Sequence, residues 1–418
     1  MRVLVLGSGA KDHAVAWWFS QSHLVGGLFV APGNIGTETI ATNLAINPSD
    51  ADQVYAACQE HKIDFVFIGT EAPLFTGVID KLNERGIATF GAHSKALKLE
   101  GDRNFSRNFT DRHNIPTATH HMFSDETALS EYLRRHNNER FVVKSNAIAP
   151  SRVMVDSSDY NTLMSFAKSL LSSGPIMLEE HLSGLSVTVT ILLDNKGYLM
   201  LPICSDYMKT DKHGLPTGGM GSICPVPLEE EMKEKLNERI IAPTLYGLKV
   251  EQLAYKGVLT FSVIITAQGP ILVDYHVRFN DPATQAIIPL IKSDIVDILH
   301  AINDDTLSDF KLKVSTNSSV ALVIASEGYP QNPQIGKQLE PIPAAIMLNA
   351  FKGAPLFFFG GVQNQEGKMM TTRGRCVTVV GCKENILSAN KQAYKGAQYI
   401  KFPGAWFRAD IGDKFFEN

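Results

Sequence analysis

Four short apolar runs, at residues 3–6, 27–31, 65–69 and 88–91, alternate over the opening part of the chain with helical patterns at 51–61 and 74–85. Runs of that kind suit strands buried on both faces, and the helical stretches between them suit crossovers. The pattern therefore predicts a parallel, doubly wound α/β domain. Ligands of such sheets collect at the carboxyl edge of the strands, in the loops that follow them.

The first of these loops, Gly7-Ser8-Gly9, begins a dinucleotide fingerprint but does not complete it. Asp12 stands where the third glycine belongs, and no acidic residue closes the second strand at the distance needed for a ribose. An anion at the helix start is compatible with the turn, and so is a purely structural role for its glycines. The second loop, residues 31–37, holds Pro32, Gly33, Asn34, Gly36 and Thr37; the third, residues 69–74, holds Glu71 and Pro73. Each alone reads as turn chemistry. Converging at one sheet edge, they predict a polar ligand site that includes Glu71.

A boundary is expected at Ile115-Pro116-Thr117. Beyond it come a helix at 127–136, a strand at 141–144 and a strand at 175–182 that carries the acidic pair Glu179-Glu180. Residues 185–193 and 198–203 alternate as a hairpin. Residues 216–222 read as a glycine-rich loop able to turn several backbone N–H groups toward an anion. A second hairpin, 258–266 with 271–277, places Asp274, His276 and Arg278 on one face by its period of two. Phe279-Asn280-Asp281-Pro282 then turns into an apolar helix expected at 286–299. The bland reading of this segment is a surface Asp274–Arg278 ion pair. The number of polar groups beside a helix start favours a site. Strands at 319–325, 356–360 and 374–380 and a helix at 385–397 complete a small α+β region.

Composition narrows the function classes. At 418 residues, 44% hydrophobic and a net charge of -4, the chain has core enough for several domains and no basic run for nucleic acid. It lacks an apolar stretch of about 18 residues, and its start is not a basic leader, so a cytoplasmic protein with no membrane partner is expected. Five cysteines without C-x-x-C spacing argue against disulfides and a zinc ribbon.

An ordered series of segments makes the chain recognisable: GSGAKDHA, APGNIGT, GTEAPL, LEGDRNF, PTGGMGS, RFNDPATQ, RGRCVTVVG and PGAWFRADIG. It resembles the glycinamide ribonucleotide synthetases (phosphoribosylamine-glycine ligases) of the ATP-grasp superfamily. The resemblance implies ATP-dependent ligation of glycine to 5-phosphoribosylamine through a glycyl phosphate, with Mg2+ or Mn2+, in a monomer or weak dimer. It divides the chain into a doubly wound domain at 1–101, an ATP-grasp region at 102–326 with a lid at about 118–182, and an α+β domain at 327–418. It makes Arg278, Asp281 and Gly219 catalytic. The substrate contacts it implies are Gly9 and His13 in the first loop, Gly33, Asn34, Gly36 and Thr37 in the second, and Glu71 and Pro73 in the third, with Thr217, Gly218, Met220 and Gly221 from the glycine-rich segment.

The nucleotide side departs from that family. No glycine occurs from Asp102 through Ser173, although the chain has 32, so the loop expected to clamp phosphates with glycine reads Lys144-Ser145-Asn146-Ala147-Ile148-Ala149-Pro150-Ser151-Arg152. Lys144 remains, Arg103 replaces the family's lysine, and Ser151 and Arg152 can supply substitute contacts; the resemblance implies that Glu179, Glu180 and Leu182 serve the adenine hinge. The metal ligands become Asp274 and His276, an imidazole suiting manganese or zinc better than magnesium. One lost donor commonly costs roughly a hundredfold in rate. Three readings follow: the family's own reaction with substituted contacts, a ligase for another amino acid and amine, or a non-catalytic nucleotide- or phosphoribosyl-binding paralogue.

Overall fold

The computed structural model describes residues 1–146, 154–343 and 353–416. Ser151 and Arg152, with most of the altered loop, lie outside the described residues. Strand β1 (Arg2–Gly7) runs parallel to β2 (Gly27–Pro32) on one side and β4 (Phe65–Ile68) on the other; β3 (Thr42–Asn43) and β5 (Ala88–Phe90) complete the order β3-β2-β1-β4-β5. Val3 and Val5 pack into one core while Leu4 and Leu6 pack into another. The period of two thus buries both faces of the central strand, as a doubly wound sheet requires. The helix Ala51–His61 starts where the Asp50 carboxylate accepts hydrogen bonds from the Asp52 and Gln53 N–H groups. The single helix expected over 74–85 is instead two, Glu71–Phe75 and Val78–Glu84, separated at Gly77 with φ +74°. Glu71 therefore opens a helical turn where an irregular loop was expected.

Four antiparallel strands, β6 (His120–Phe123), β7 (Phe141–Ser145), β8 (Met154–Ser157) and β9 (Ile176–Glu180), form a small sheet in the order β6-β9-β7-β8. Helices Glu126–Arg135 and Tyr160–Leu171 cover it through Leu129, Leu133, Leu163 and Ala167, giving this unit its own core. A second antiparallel sheet orders β11 (Tyr198–Met200), β10 (Leu185–Leu193), β14 (Gly257–Thr266) and β15 (Gly269–His276). The last large sheet runs β12 (Ser205–Lys209), β13 (Pro216–Cys224), β16 (Ser318–Ser326), β20 (Arg375–Lys383), β17 (Leu356–Phe359), with β21 (Ala405–Phe407) on β16. Its strands come from both sides of residue 326. A ribbon of β18 (Val362–Gln365) and β19 (Lys368–Thr371) stands beside it.

Two expectations are corrected here. The segment 216–222 is not a loop but part of β13, whose register with β12 slips between Tyr207 and Lys209, so Gly218 and Gly219 sit at an irregularity. The helix expected at 286–299 is broken into Ala283–Ile287, a 3-10 turn Ile288–Leu290 and Ile295–Asn303. Pro289 cannot supply the N–H that would continue the first helix. Among the described residues no helix is long and apolar enough to cross a membrane.

Candidate functional site

The carboxyl edge of the first sheet meets the ends of β13, β15 and β20. Its first loop does not present an open anion site, because the Asp12 carboxylate already accepts the Gly9 N–H at 2.8 Å. A Cβ on Gly7 or Gly69 would collide with that carboxylate, which explains both glycines by close approach. Burial pushes the Asp12 carboxyl up, against the pull of Lys11 and the Gly9 N–H.

Asn34, Thr37 and His13 are buried and committed to protein partners. The Asn34 amide donates to the Ser8 and Phe359 carbonyls at 3.0 and 2.7 Å, and its oxygen accepts the Gly36 and Thr37 N–H groups. The Thr37 hydroxyl donates to Asn43 Oδ1 at 2.7 Å. His13 Nδ1 accepts the Phe359 N–H at 2.9 Å, and burial pushes the imidazole down to about 3. A Cβ on Gly36 would meet the His13 ring, and one on Gly33 the Asn43 side chain. These side chains lock the second loop to the strand β17.

The turn after β15 carries the densest chemistry. Arg278 is 10% exposed and pairs with Glu71 and, at 3.0 Å, with Glu100. Glu100 also accepts the Val277 N–H at 2.9 Å. The bland Asp274–Arg278 pair gives way to these partners, and Asp274 pairs with Arg103 at 2.7 Å instead. The Phe279 carbonyl accepts from Lys11 Nζ at 3.1 Å and from Arg278 at 3.2 Å. Asp281 Oδ1 accepts from Arg375 at 3.0 Å and from Gln285 at 2.9 Å. Arg375 reaches back to the Gly218 and Gly219 carbonyls at 2.6 and 3.3 Å, and Tyr329 OH accepts the Gly218 N–H. Gly219 has φ +106°, and a Cβ there would stand 2.8 Å from the Asp281 carbonyl oxygen. Thr217 Oγ1 accepts the Gly219 N–H at 3.0 Å. Met220 is fully buried and Gly221 packs on Ile411, so both shape the strand from inside. Pro73 is buried in the turn behind Glu71.

A second cluster lies along β15 toward the small sheet. Glu179, 3% exposed, accepts from Arg107 at 2.8 Å and pairs with Lys144 at 2.5 Å. Burial pushes its carboxyl up, but Lys144 and Arg107 outweigh that and hold it below its ordinary value. Lys144 Nζ is also 3.7 Å from Asp274, and Arg103 Nε donates to the Ser145 carbonyl at 3.0 Å. Glu180 is exposed and Leu182 half-buried beyond β9. His276 has Ser262 Oγ at 3.0 Å on Nε2 and Glu100 at 3.4 Å on Nδ1. No group of three or more His, Cys, Asp or Glu among the described residues could hold a metal ion by itself. The cations Arg103 and Lys144 fit a polyphosphate. A divalent ion at Asp274 fits only as magnesium is commonly held, by one or two carboxylates with phosphate oxygens completing the shell.

Lys11, Glu100, Arg107 and Arg375 were not singled out from sequence. Their partners lie far along the chain: Phe279 stands 268 positions beyond Lys11 and Glu179 72 positions beyond Arg107. Only the presence of Lys11, Glu100 and Arg375 within quoted segments pointed to them.

Comparison with known proteins agrees with this architecture. Family profiles described as phosphoribosylglycinamide synthetase match in three parts: the N domain at residues 1–100, the ATP-grasp (A) domain at 101–284 and the C domain at 319–414. The chain is similar to a phosphoribosylamine–glycine ligase of Rhodopirellula baltica, 33% identical and covering 99% of this chain and 97% of the relative. It is 32% identical to the human trifunctional purine biosynthetic protein adenosine-3, covering 98% of this chain and 42% of that protein. The crystal structure of the phosphoribosylamine–glycine ligase of Thermotoga maritima superposes with a TM-score of 0.82 at 26% identity, covering 98% of this chain and all of that one. Taken with the ordered motifs and the site they assemble, these matches place the chain in the phosphoribosylglycinamide synthetase family.

Proposed function

We propose that this protein joins glycine to 5-phosphoribosylamine at the expense of ATP, giving glycinamide ribonucleotide, ADP and phosphate through a glycyl phosphate. The observation that carries this reading is the junction at the turn after β15, where Arg278, Asp281 and the Gly218–Gly219 backbone are held together by groups from three parts of the chain. Reactants of opposite and like charge are aligned there by fixed donors, which is where an enzyme gains most. In this reading Arg278 neutralises an anionic substrate group, exchanging Glu71, the more exposed of its two carboxylates, for that group. Asp281, fixed by Arg375 and Gln285, accepts from the amine or hydroxyls of the sugar substrate. In this reading the segments of Gly9, Gly33, Gly36 and Thr217 would supply the remaining substrate contacts.

Lys144 and Arg103 would hold the nucleotide phosphates, Ser151 and Arg152 would add contacts to them, and Glu179 and Glu180 at the end of β9 with Leu182 after it would meet the base. Asp274 would hold the divalent ion, which supplies neutralisation of phosphate charge. His276 would stand beside it as the second candidate ligand, its Nε2 near Ser262 Oγ and its Nδ1 near Glu100, and Mg2+ or Mn2+ would serve at such a site. The division into residues 1–101, 102–326 and 327–418 is retained as a functional one, with β12, β13 and β16 carrying the central unit into the last sheet. A cytoplasmic, monomeric or weakly dimeric enzyme is part of the same proposal.

The test is incorporation of isotopically labelled glycine. With ATP, Mg2+ and freshly made phosphoribosylamine, a product of glycinamide ribonucleotide mass is expected. Incorporation of alanine or serine in preference to glycine would replace this reading with that of a different ligase.

A further inference from the structure

Lys11 is an unusual resident of the interior. Its residue is 6% exposed, and burial pulls its ammonium down from the ordinary lysine range, with Arg278 adding to the effect. Taking an ammonium out of water costs several kcal/mol unless good partners compensate, and an apolar side chain of similar volume is often at least as stabilising. Asp12, Asp281 and Glu71 offset part of that cost by their charge, and Lys11 donates a hydrogen bond to a neutral oxygen, the Phe279 carbonyl, at 3.1 Å. That carbonyl begins the turn whose next residues are Asn280, Asp281 and Pro282. Arg375 holds the same turn from another part of the chain, through Asp281 at 3.0 Å. The turn is thus gripped from two directions by cations that belong neither to β15 before it nor to the helix Ala283–Ile287 after it.

We propose that Lys11 is a positioning residue for the ligation: by fixing the Phe279 carbonyl it sets where Asp281 stands, and so ties the sugar-substrate geometry to the helix Ala10–Ser20. The proposal rests on the reading of the reaction given above. Displacing a reacting or binding group by about 1 Å can cost about a hundredfold in rate. The partners of Arg103, Lys144 and Glu179 among the described residues lie on β15 and the small sheet side, so nucleotide binding is expected to be left intact.

The experiment compares Lys11→Met and Lys11→Arg with the parent protein. For Lys11→Met the expectation is a loss of about a hundredfold in kcat/KM for phosphoribosylamine, with the KM for ATP within about twofold. Lys11→Arg, which can still donate to the carbonyl, should recover most of the loss. Hydrogen exchange of the backbone amides over residues 277–285 should rise in Lys11→Met and return in Lys11→Arg. Unchanged kinetics and exchange in Lys11→Met would overturn the proposal. So would an equal loss toward ATP and the amine that Lys11→Arg does not repair, since that is the mark of general destabilisation. If the parent protein ligates nothing, the reading of the reaction fails, and the exchange data still decide whether Lys11 holds the turn.

Discussion

Gly219→Ala tests how tightly the turn after β15 and the strand β13 are fitted. Two effects add. At φ +106° an L side chain is strained, roughly 1–3 kcal/mol by the usual cost of such conformations. The new Cβ would also stand 2.8 Å from the Asp281 carbonyl oxygen and closer still to Pro282 Cδ. Carbon contacts normally sit at about 3.5–4.0 Å, and neither obstacle is a flexible side-chain end, so the Asp281–Pro282 peptide must retreat by about 1 Å. A shift of that size should lower turnover about a hundredfold, equal to about 2.7 kcal/mol of barrier. Urea unfolding would read the first effect and initial-rate kinetics the second. Gly86→Ala separates them, since Gly86 has φ +78° but nothing within 4 Å of a built Cβ. It should lose stability and keep its rate. Wild-type turnover in Gly219→Ala, with Gly86→Ala behaving the same way, would refute the argument that Gly219 is there for close approach to Asp281.

Other consequences follow from the same contacts. Arg107→Met leaves the Glu179 carboxylate with Lys144 alone and should destabilise the fold by about 3 kcal/mol or more in denaturant unfolding; a change under about 1 kcal/mol would mean that Lys144 suffices. His13 has a folded value near 3 against 6.5 ordinarily, so between those pH values the unfolded chain takes a proton that the folded one refuses. Stability should therefore fall as pH drops through that window. His13→Asn, which preserves an acceptor for the Phe359 N–H, should flatten that limb, and an unchanged acid slope would contradict the assignment. Asp274→Asn should weaken magnesium-dependent nucleotide binding in calorimetry while leaving metal-free binding less affected; equal metal dependence would remove Asp274 from the ligand set.

Local pattern made much of the fold legible. The apolar run of β1 and the helical pattern over 51–61 are short-range signals, and both appear where expected. Residues 216–222 misled because Gly218, Gly219 and Gly221 resemble loop chemistry, whereas each makes room for a neighbour: Arg375, Pro282 and Ile411 in turn. Gly77 and Pro289 broke helices whose apolar period runs on across the break. At the site, period two on β15 correctly grouped Asp274, His276 and Arg278. It could not name their partners, because Arg103, Glu100 and Glu71 arrive from elsewhere in the chain. Asn34 and Thr37 illustrate the opposite limit. Their residue types suit a ligand, but the hydrogen bonds they make tie the second loop to the strands β17 and β3.

The most direct test of the account follows oxygen. Glycine labelled with 18O in both carboxylate positions would be supplied with ATP, Mg2+ and phosphoribosylamine, and the released phosphate analysed by mass. Ligation through a glycyl phosphate predicts one labelled oxygen in each phosphate and one in the amide of the product, because the carboxylate oxygen that attacks phosphorus leaves with it. Unlabelled phosphate would show that ATP is only hydrolysed, and would contradict the claim that this site joins glycine to the sugar amine.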